Sequence, residues 1–204
     1  MPRHVDPVLT ARRRAELIRA GYAEILARGI QGTTLDSVVE RAGSSKGGAL
    51  HYFPNKEDLL YAILEWVLSE LDRSLEDVIA NQETARRQLA SELEVLFHSA
   101  EVNRKLYLVL FDYVAVAARS ERFRSLLAQF LESCRRRDMA IVEQGIHEQL
   151  FRRVDPEDAA ATIRALVDGY CLQWLMGPPD TPIEIYRDRC RAVLGSYLLR
   201  TGTP

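Results

Sequence analysis

The chain has 204 residues, of which 47% are hydrophobic and 27% charged, and its formal net charge is −2 at pH 7. This length suits one domain, or a small domain joined to a larger one, with enough apolar residues for a sizeable core. No apolar run reaches the roughly 20 residues of a membrane-spanning helix, and the N-terminus lacks a signal-peptide pattern. We therefore expect a cytoplasmic protein without a membrane partner.

The residue types that carry catalytic or metal chemistry are sparse. Three widely spaced cysteines (Cys134, Cys171 and Cys190) and four scattered histidines form no CxxC pair and no metal-ligand spacing. The sequence also lacks a P-loop, HExxH, GxSxG or paired-carboxylate motif. These observations predict no disulfide, no metal site, no cofactor and no enzymatic activity.

The charge is unevenly distributed along the chain. Residues 1–56 contain 9 basic and 5 acidic side chains, whereas residues 57–204 contain 18 basic and 24 acidic ones. A basic segment attached to an acidic one indicates that only the N-terminal part meets a polyanion such as DNA.

The first predicted elements are helical. After a flexible arm over residues 1–9, apolar spacing predicts a helix from Thr10 to Arg28, which Gly29 ends. A second helix is predicted to begin at Thr33–Thr34, with Thr33 and Asp36 at the spacing of a capping box.

A third, short helix and a fourth, long one follow. Gly43 ends the second helix, and Ser44 or Ser45 is placed to cap a helix over residues 46–52. Asn55 then caps a long helix that continues through Leu71. Further helices are predicted at about 84–101, 103–118, 121–150, 156–177 and 182–201. No segment shows convincing strand alternation, so the predicted fold is all-α.

Two short helices joined by a glycine-containing turn form the helix-turn-helix pattern, whose second helix enters the DNA major groove. The segment GTTLDSVVERAGSSKGGALHYFPNKEDLLYAIL, residues 32–64, strongly resembles the DNA-binding head of tetracycline-repressor (TetR) family regulators. The resemblance implies a three-helix helix-turn-helix head over residues 1–56. Residues 57–204 would then form a helical body that binds an effector and dimerises.

The resemblance places the DNA contacts on and around the third helix. The implied residues are Thr34, Ser45, Lys46, Gly47, Gly48, His51, Tyr52 and Lys56. Several have other interpretations: Ser45 and Thr34 as helix caps only, Lys46 as a solvated lysine, and His51 as packing against the first helix. The basic run Arg12–Arg14 is expected to attract the DNA backbone.

Gly48 departs from the usual family pattern, in which a threonine is common at this position. A glycine reads no base edge through a side chain, but it allows the helix backbone to approach the DNA closely.

The body offers weaker signals. Residues 165–176, ALVDGYCLQWLM, are similar to the choline-responsive, BetI-like subgroup. This similarity supports the expected architecture but says little about the ligand. The candidate effector-binding residues are Trp66, Phe97, Tyr107, Phe111, Asp112, Tyr113, Met139 and Trp174. Asp112 lies among apolar helical neighbours, so it needs an arginine partner, a helix N-terminus to cap, or a role as polar anchor in a pocket.

Apolar positions on the last two predicted helices cannot distinguish a dimer face from a monomer core, although two-fold DNA sites favour a dimer. The sequence thus predicts a homodimeric repressor that a small apolar or aromatic effector releases from a palindromic double-stranded DNA operator. The alternatives are a helical protein-interaction module without DNA binding and, less favoured, a helical enzyme.

Overall fold

The computed structural model describes residues 7–200. Within this range the chain forms α1 (Pro7–Gly32), α2 (Leu35–Arg41), α3 (Lys46–Tyr52), α4 (Lys56–Ala80), α5 (Ala85–Leu96), α6 (Ala100–Ala117), α7 (Glu121–His147), α8 (Pro156–Met176) and α9 (Ile183–Leu198). Between residues 7 and 200, extended pairing is limited to an isolated antiparallel bridge between Phe151 and Leu199. The all-α prediction is confirmed.

The described chain divides into two compact units. The first comprises the chain up to Ser69 together with Val109–Arg124, and the second comprises Glu70–Leu108 together with the chain from Ser125 onward. The division by role into residues 1–56 and 57–204 stays a prediction.

In the first unit, α1, α2 and α3 pack against one another around buried side chains that include Leu17, Val38 and Ala49. Gly21 allows α1 to lie close to α4, because a Cβ atom there would come within 2.4 Å of Ile63 Cδ1. The short helices α2 and α3, with seven residues each, thus depend on tertiary packing rather than on their own propensity.

The start and end of α1 differ from the prediction. Residues 7–9 of the predicted arm are helical, while residues 1–6 lie outside the described residues. Gly29 has φ 69° and ψ 169°, a combination that is essentially restricted to glycine, and a further turn to Gly32 follows it. Gly29 therefore interrupts the helix rather than ending it.

The capping box of α2 lies one residue further along than predicted. The N–H of Ser37 donates to Thr34 Oγ1 at 3.1 Å, and the N–H of Thr34 donates to Ser37 Oγ at 3.2 Å. Thr33 instead is buried and donates its hydroxyl to the carbonyl of Gly29 at 2.8 Å. The prediction for Thr33 and Asp36 was wrong because a serine fills the acceptor role usually assigned to an acidic residue or glutamine.

The other predicted caps are confirmed. Ser45 caps α3, Asn55 Oδ1 accepts from the N–H of Asp58 at 2.9 Å at the start of α4, and Pro156 begins α8.

The boundary predicted at Asn103 is wrong. Helix α5 already ends at Leu96 and α6 begins at Ala100. Asn103 is buried inside α6, where its amide donates to the carbonyl of Leu96 at 2.5 Å and accepts from the N–H of Ser99 at 3.1 Å. Asparagine is common in loops, which is why its position suggested a boundary. Here Asn103 lies inside α6, and its side chain connects α6 to the end of α5.

The second unit contains the packing of α8 against α9 and of α5 against α9. Its core includes the fully buried side chains Leu93, Ile163, Val167 and Trp174. Across residues 7–200, no helix is both long and apolar enough to cross a bilayer.

Candidate functional site

A tight turn joins α2 to α3. Gly43 has φ 58°, and the N–H of Ser44 donates to the carbonyl of Val39 at 3.0 Å. A left-handed glycine followed by this backward hydrogen bond is typical of a helix C-terminus, and it redirects the chain within two residues. The turn fixes the direction in which α3 leaves α2.

The first two residues of α3, Lys46 and Gly47, are exposed. Ser45 Oγ accepts from the N–H of Gly48 at 3.1 Å, which satisfies one of the free amides of the first turn. A Cβ atom at Gly47 would meet nothing within 4 Å, whereas one at Gly48 would lie 3.0 Å from Ser45 Oγ. The two glycines therefore differ: open space surrounds Gly47, and Gly48 makes room for the cap.

The polar side chains predicted to contact DNA lie around this helix. Lys46 Nζ is 2.8 Å from Asp36 Oδ1, and both side chains are exposed. His51 is also exposed, and its ring contacts the edge of Tyr52 with centroids 5.3 Å apart. Exposure of the imidazole does not fit the alternative in which His51 packs against α1.

Two further predicted contacts lie at the borders of the turn and of α4. Thr34 is exposed and its hydroxyl caps α2. Lys56 Nζ donates to the carbonyl of Gln31 at 3.3 Å, at the end of α1. Both residues thus support the head structurally while lying beside α3.

An ionic cluster connects α1 to α2. Glu24 is 2% exposed, and it accepts from Arg41 Nε at 2.6 Å and lies 3.4 Å from Arg28 Nε. The hydrogen bond from Arg41 lowers the pKa of Glu24 against the opposing effect of burial. The carboxylate therefore stays ionised and holds the two helices of the head together.

The basic run of α1 serves three contacts. Arg12 pairs with Glu16 at 3.0 Å, and the guanidinium of Arg14 lies 5.3 Å from the ring centre of Phe53. Arg13 lines a cavity of about 270 Å³ beside the helix-turn-helix turn and Ser45. Of the three, Arg13 is the one that lines this cavity beside the turn.

Asp112 has a specific partner within the first unit. Its Oδ2 accepts from the backbone N–H of Ile30 at 3.1 Å. Ile30 opens the short turn after the break at Gly29, in which the N–H of Thr33 donates to the carbonyl of Gly29 at 3.2 Å. Among the alternatives raised by the sequence, this geometry matches a carboxylate that caps a helical N-terminus.

The other predicted effector-binding residues do not form one group. Trp66, Phe111 and Tyr113 belong to the first unit with Asp112, while Phe97, Tyr107, Met139 and Trp174 belong to the second.

The polar atoms of two of these aromatic residues are engaged in the fold. The hydroxyl of Tyr113 donates to the carbonyl of Leu60 at 2.7 Å, and Trp174 Nε1 donates to the carbonyl of Thr181 at 2.9 Å. Both side chains are fully buried. Their effector-binding role stays a prediction.

Two family models match separate parts of the chain. Residues 17–63 match the model of bacterial regulatory proteins of the TetR family. Residues 85–201, more than half of the chain, match the C-terminal part of BetI-type transcriptional repressors. The chain belongs to the TetR family of transcriptional regulators. It is a DNA-binding regulator and not an enzyme, as the sequence predicted.

Individual relatives agree with this assignment. The chain is 30% identical over 146 residues to YfiR, an uncharacterised helix-turn-helix regulator of Bacillus subtilis, covering 71% of each chain. It is 30% identical over 188 residues to the regulator TtgR of Pseudomonas putida, covering 83% of each. A regulator from Saccharomonospora viridis solved with choline shares the fold at a TM-score of 0.87 and 17% identity, covering 93% of this chain and 99% of that one.

Sequence reasoning missed a set of buried charged residues in the body of this TetR-family regulator. Glu92 and Asp138 are 0% exposed, and Arg164 is 8% exposed. Part of the signal was present for Asp138, because Cys134, Ile141 and Val142 are apolar among its four neighbours at ±3 and ±4, while the fourth is Arg135. The criterion that singled out Asp112, a charge with only apolar helical neighbours, therefore selects Asp138 only in part.

The three cysteines lie close to this set. Burial raises the pKa of Cys134 to about 11 and those of Cys171 and Cys190 to about 12. Because the thiolate is the reactive form, these thiols have the character of structural rather than redox-active cysteines.

Proposed function

We propose that this regulator is a homodimeric repressor that acts in the cytoplasm on a palindromic operator. Each head places α3 in a major groove, with the two heads about 34–36 Å apart along the DNA. A small apolar or aromatic effector bound by the body favours a conformation with a different head spacing. Release then follows from the difference in DNA affinity between the two conformations.

The observation that carries this proposal is the construction of α3. Its first turn is capped by Ser45, and Gly47, Lys46 and His51 are exposed. Lysine and histidine side chains suit phosphate and base contacts, and an uncovered glycine suits a close backbone approach.

Exposed apolar side chains on the last two helices support the dimer. Leu172 and Met176 on α8 are 44% and 69% exposed, and Ile185 and Val193 on α9 are both 42% exposed. The residues of each pair lie one or two helical turns apart and thus share a face. Because α8 and α9 pack together, these two faces suit association with the same helices of a second copy.

The DNA-binding role is tested by replacing Lys46 with alanine. Lys105 offers a matched control, because it is also an exposed lysine in an ion pair, 2.6 Å from Glu101, but lies in the body. An operator is first selected from a random-sequence DNA pool, and binding is then measured by fluorescence anisotropy at several salt concentrations.

We expect Lys46→Ala to weaken operator binding at least about fivefold, as for loss of a base or phosphate contact. If Lys46 contacts a phosphate, the salt slope also falls by about 0.9. Lys105→Ala should leave both quantities unchanged. Equal effects of the two variants, or operator binding that is independent of salt, would contradict the proposed role of Lys46 and α3.

A further inference from the structure

Two carboxyl groups meet inside the second unit. Glu92 of α5 and Asp138 of α7 are both 0% exposed, and their side chains are within hydrogen-bonding reach of one another. None of their four oxygens accepts a hydrogen bond from a donor in residues 7–200. Buried carboxylates are normally satisfied by several donors, so this pair has unused acceptor capacity in the core.

The nearby guanidinium groups are paired with other carboxylates. Arg164 of α8 lies 2.9 Å from Asp168, and Arg137 of α7 lies 2.9 Å from Asp72. Each arginine therefore has one carboxylate partner, although Nε of both arginines and Nη1 of Arg164 make no hydrogen bond within residues 7–200. The Glu92–Asp138 pair lies outside these two ion pairs. The excess charge of the cluster is negative.

The charged and titratable groups that face Asp138 are Glu92 on α5, Cys134 and Arg137 on α7, and Arg164 on α8. Burial, reinforced by the charge of Glu92, raises the pKa of Asp138 to about 9. At neutral pH Asp138 is therefore protonated and its carboxyl group is uncharged.

We propose that the Glu92–Asp138 pair is the anchor for a protonated amine or amidine group on the effector. The proposal rests on effector control as set out above and adds the chemical class of the ligand. Its head group is a cation with N–H donors, and its remaining part is apolar or aromatic, in keeping with the surrounding core.

The required chemistry follows from the atoms that lack partners. Carboxylate oxygens without donors need N–H groups, which a primary ammonium or an amidinium supplies and a quaternary ammonium lacks. A metal cation is not the occupant that the residues suit, because the described His, Cys, Asp and Glu side chains form no group of three able to hold one. An organic cation with N–H donors satisfies both the charge and the acceptors.

Arg164 adds a second recognition element. Its Nε and Nη1 atoms also make no hydrogen bond within residues 7–200. These donors suit an acceptor atom on the same ligand, close to its cationic group. Tyr107, one of the predicted effector-binding residues, lies near this end of the cluster, because it interacts electrostatically with Arg164.

Binding of such a cation displaces a proton. The ligand charge favours ionisation of Asp138, so the proton that Asp138 holds passes to the solvent. The affinity of a ligand that stays charged throughout should therefore rise up to about tenfold per pH unit below the pKa of Asp138.

Benzamidine and its neutral isostere benzamide test the proposal without any substitution. Binding to the full-length protein, without DNA, is measured by isothermal titration calorimetry in two buffers of different ionisation enthalpy. We expect benzamidine to bind with proton release and benzamide to bind at least tenfold more weakly. Benzyltrimethylammonium, which has the charge but no N–H group, should resemble benzamide. Equal binding of benzamidine and benzamide, or binding of neither, overturns the proposal.

Three variants locate the site. Glu92→Gln and Asp138→Asn each remove one ionisable carboxyl group with little change in shape, and both should weaken benzamidine binding at least tenfold. Glu94→Gln is the control, because Glu94 lies on the same helix but is 51% exposed and pairs with Arg187 and Arg191. It should change the affinity less than twofold. Asp138→Asn should also abolish the release of a proton on benzamidine binding. If Asp138 served only to support the structure, this substitution would leave proton release unchanged.

The outcome also separates this inference from the proposed function. Benzamidine that binds at Glu92 and Asp138 and lowers operator affinity supports both. Binding there without any effect on operator affinity supports the anchor and contradicts effector control through it. If benzamidine does not bind but a compound of another class releases the operator, the proposed repressor function stands and the proposal of a cation anchor is wrong.

Discussion

At the scale of single residues, burial gives carboxylates that look alike in the sequence different roles. Asp112 and Asp138 both interrupt apolar helical faces. Asp112 reaches a backbone amide at the break in α1, whereas Asp138 meets a second carboxyl group in the core of the second unit. Asp112 thus has a hydrogen-bond donor as its partner, whereas Asp138 is a carboxyl group that the fold keeps protonated and uncharged at neutral pH.

Replacement of Asp112 should separate its hydrogen bond from its charge. Asp112→Ala removes the acceptor for Ile30, and we expect a loss of about 1–3 kcal/mol in the free energy of unfolding. Asp112→Asn keeps an oxygen acceptor and should recover most of that loss. Urea denaturation measures both; equal destabilisation by the two variants would mean that the charge, not the hydrogen bond, matters. Operator release by an effector, compared in the same variants, tests the predicted anchor role, and an unchanged response would refute it.

Asp138 should make stability depend on pH. The pKa of this group is raised from 3.8 to about 9 on folding, so the folded state binds more protons than the unfolded state between these values. The contribution of Asp138 to stability is thus fully present below pH 4 and is lost as the pH rises toward 9.

The side chain introduced by Asp138→Asn cannot ionise, and its amide N–H groups are donors that suit the oxygens of Glu92. The variant should match the wild type in melting temperature near pH 4 and exceed it by a growing margin up to pH 9. Thermal unfolding across this range measures the difference. A constant difference would show that Asp138 ionises in the folded protein as readily as in the unfolded chain.

At the scale of elements, α3 is seven residues long and contains two glycines. Each glycine lowers helix propensity by roughly 1 kcal/mol relative to alanine. The helix persists because Ser45 caps it and because Ala49 and the following Phe53 are buried in the head. Tertiary packing thus stabilises a glycine-containing helix that intrinsic helix propensity alone would disfavour.

The two glycines offer a matched pair of substitutions. Gly47→Ala should stabilise the head by roughly 1 kcal/mol, because the added methyl meets nothing within 4 Å. Gly48→Ala should gain less, since its Cβ lies 3.0 Å from the capping hydroxyl of Ser45. If both glycines allow close approach to DNA, both variants lose operator affinity; a Gly48 variant that keeps full affinity would remove the close-approach argument for that position.

At the scale of the whole molecule, the exposed apolar side chains of α8 and α9 bear on the proposed dimer. The apolar positions that the sequence places on these helices include Ile163 and Trp174, which are fully buried within one chain. The positions left for a second copy are instead Leu172, Met176, Ile185 and Val193, all exposed. Exposed apolar side chains of this kind support self-association, as in the proposed dimer on a palindromic operator.

A charge in this patch should prevent dimerisation. We expect Leu172→Asp combined with Met176→Asp to raise the dimer dissociation constant at least about hundredfold, because the interface would then bury unpaired charges. Analytical ultracentrifugation measures the oligomeric state, and operator binding should weaken with it. Leu131→Asp is the control, since Leu131 is 41% exposed on α7, outside both faces. A double variant that remains dimeric would place the interface elsewhere.

The sequence by itself determined the helical class, the helix-turn-helix and most helix caps, because these depend on residues three or four positions apart. Ser45, Asn55 and Pro156 are readable from local pattern for this reason. The error at Asn103 had the same origin, since composition suggested a loop while the side chain bonds to a carbonyl seven residues away.

Only the tertiary structure decided the partners of the buried charges. Asp112 and Ile30 are 82 residues apart in sequence, and Glu92 and Asp138 come from different helices. A sequence shows that a charge interrupts an apolar face, but the free energy of that charge depends on which donors or carboxyl groups the fold places against it.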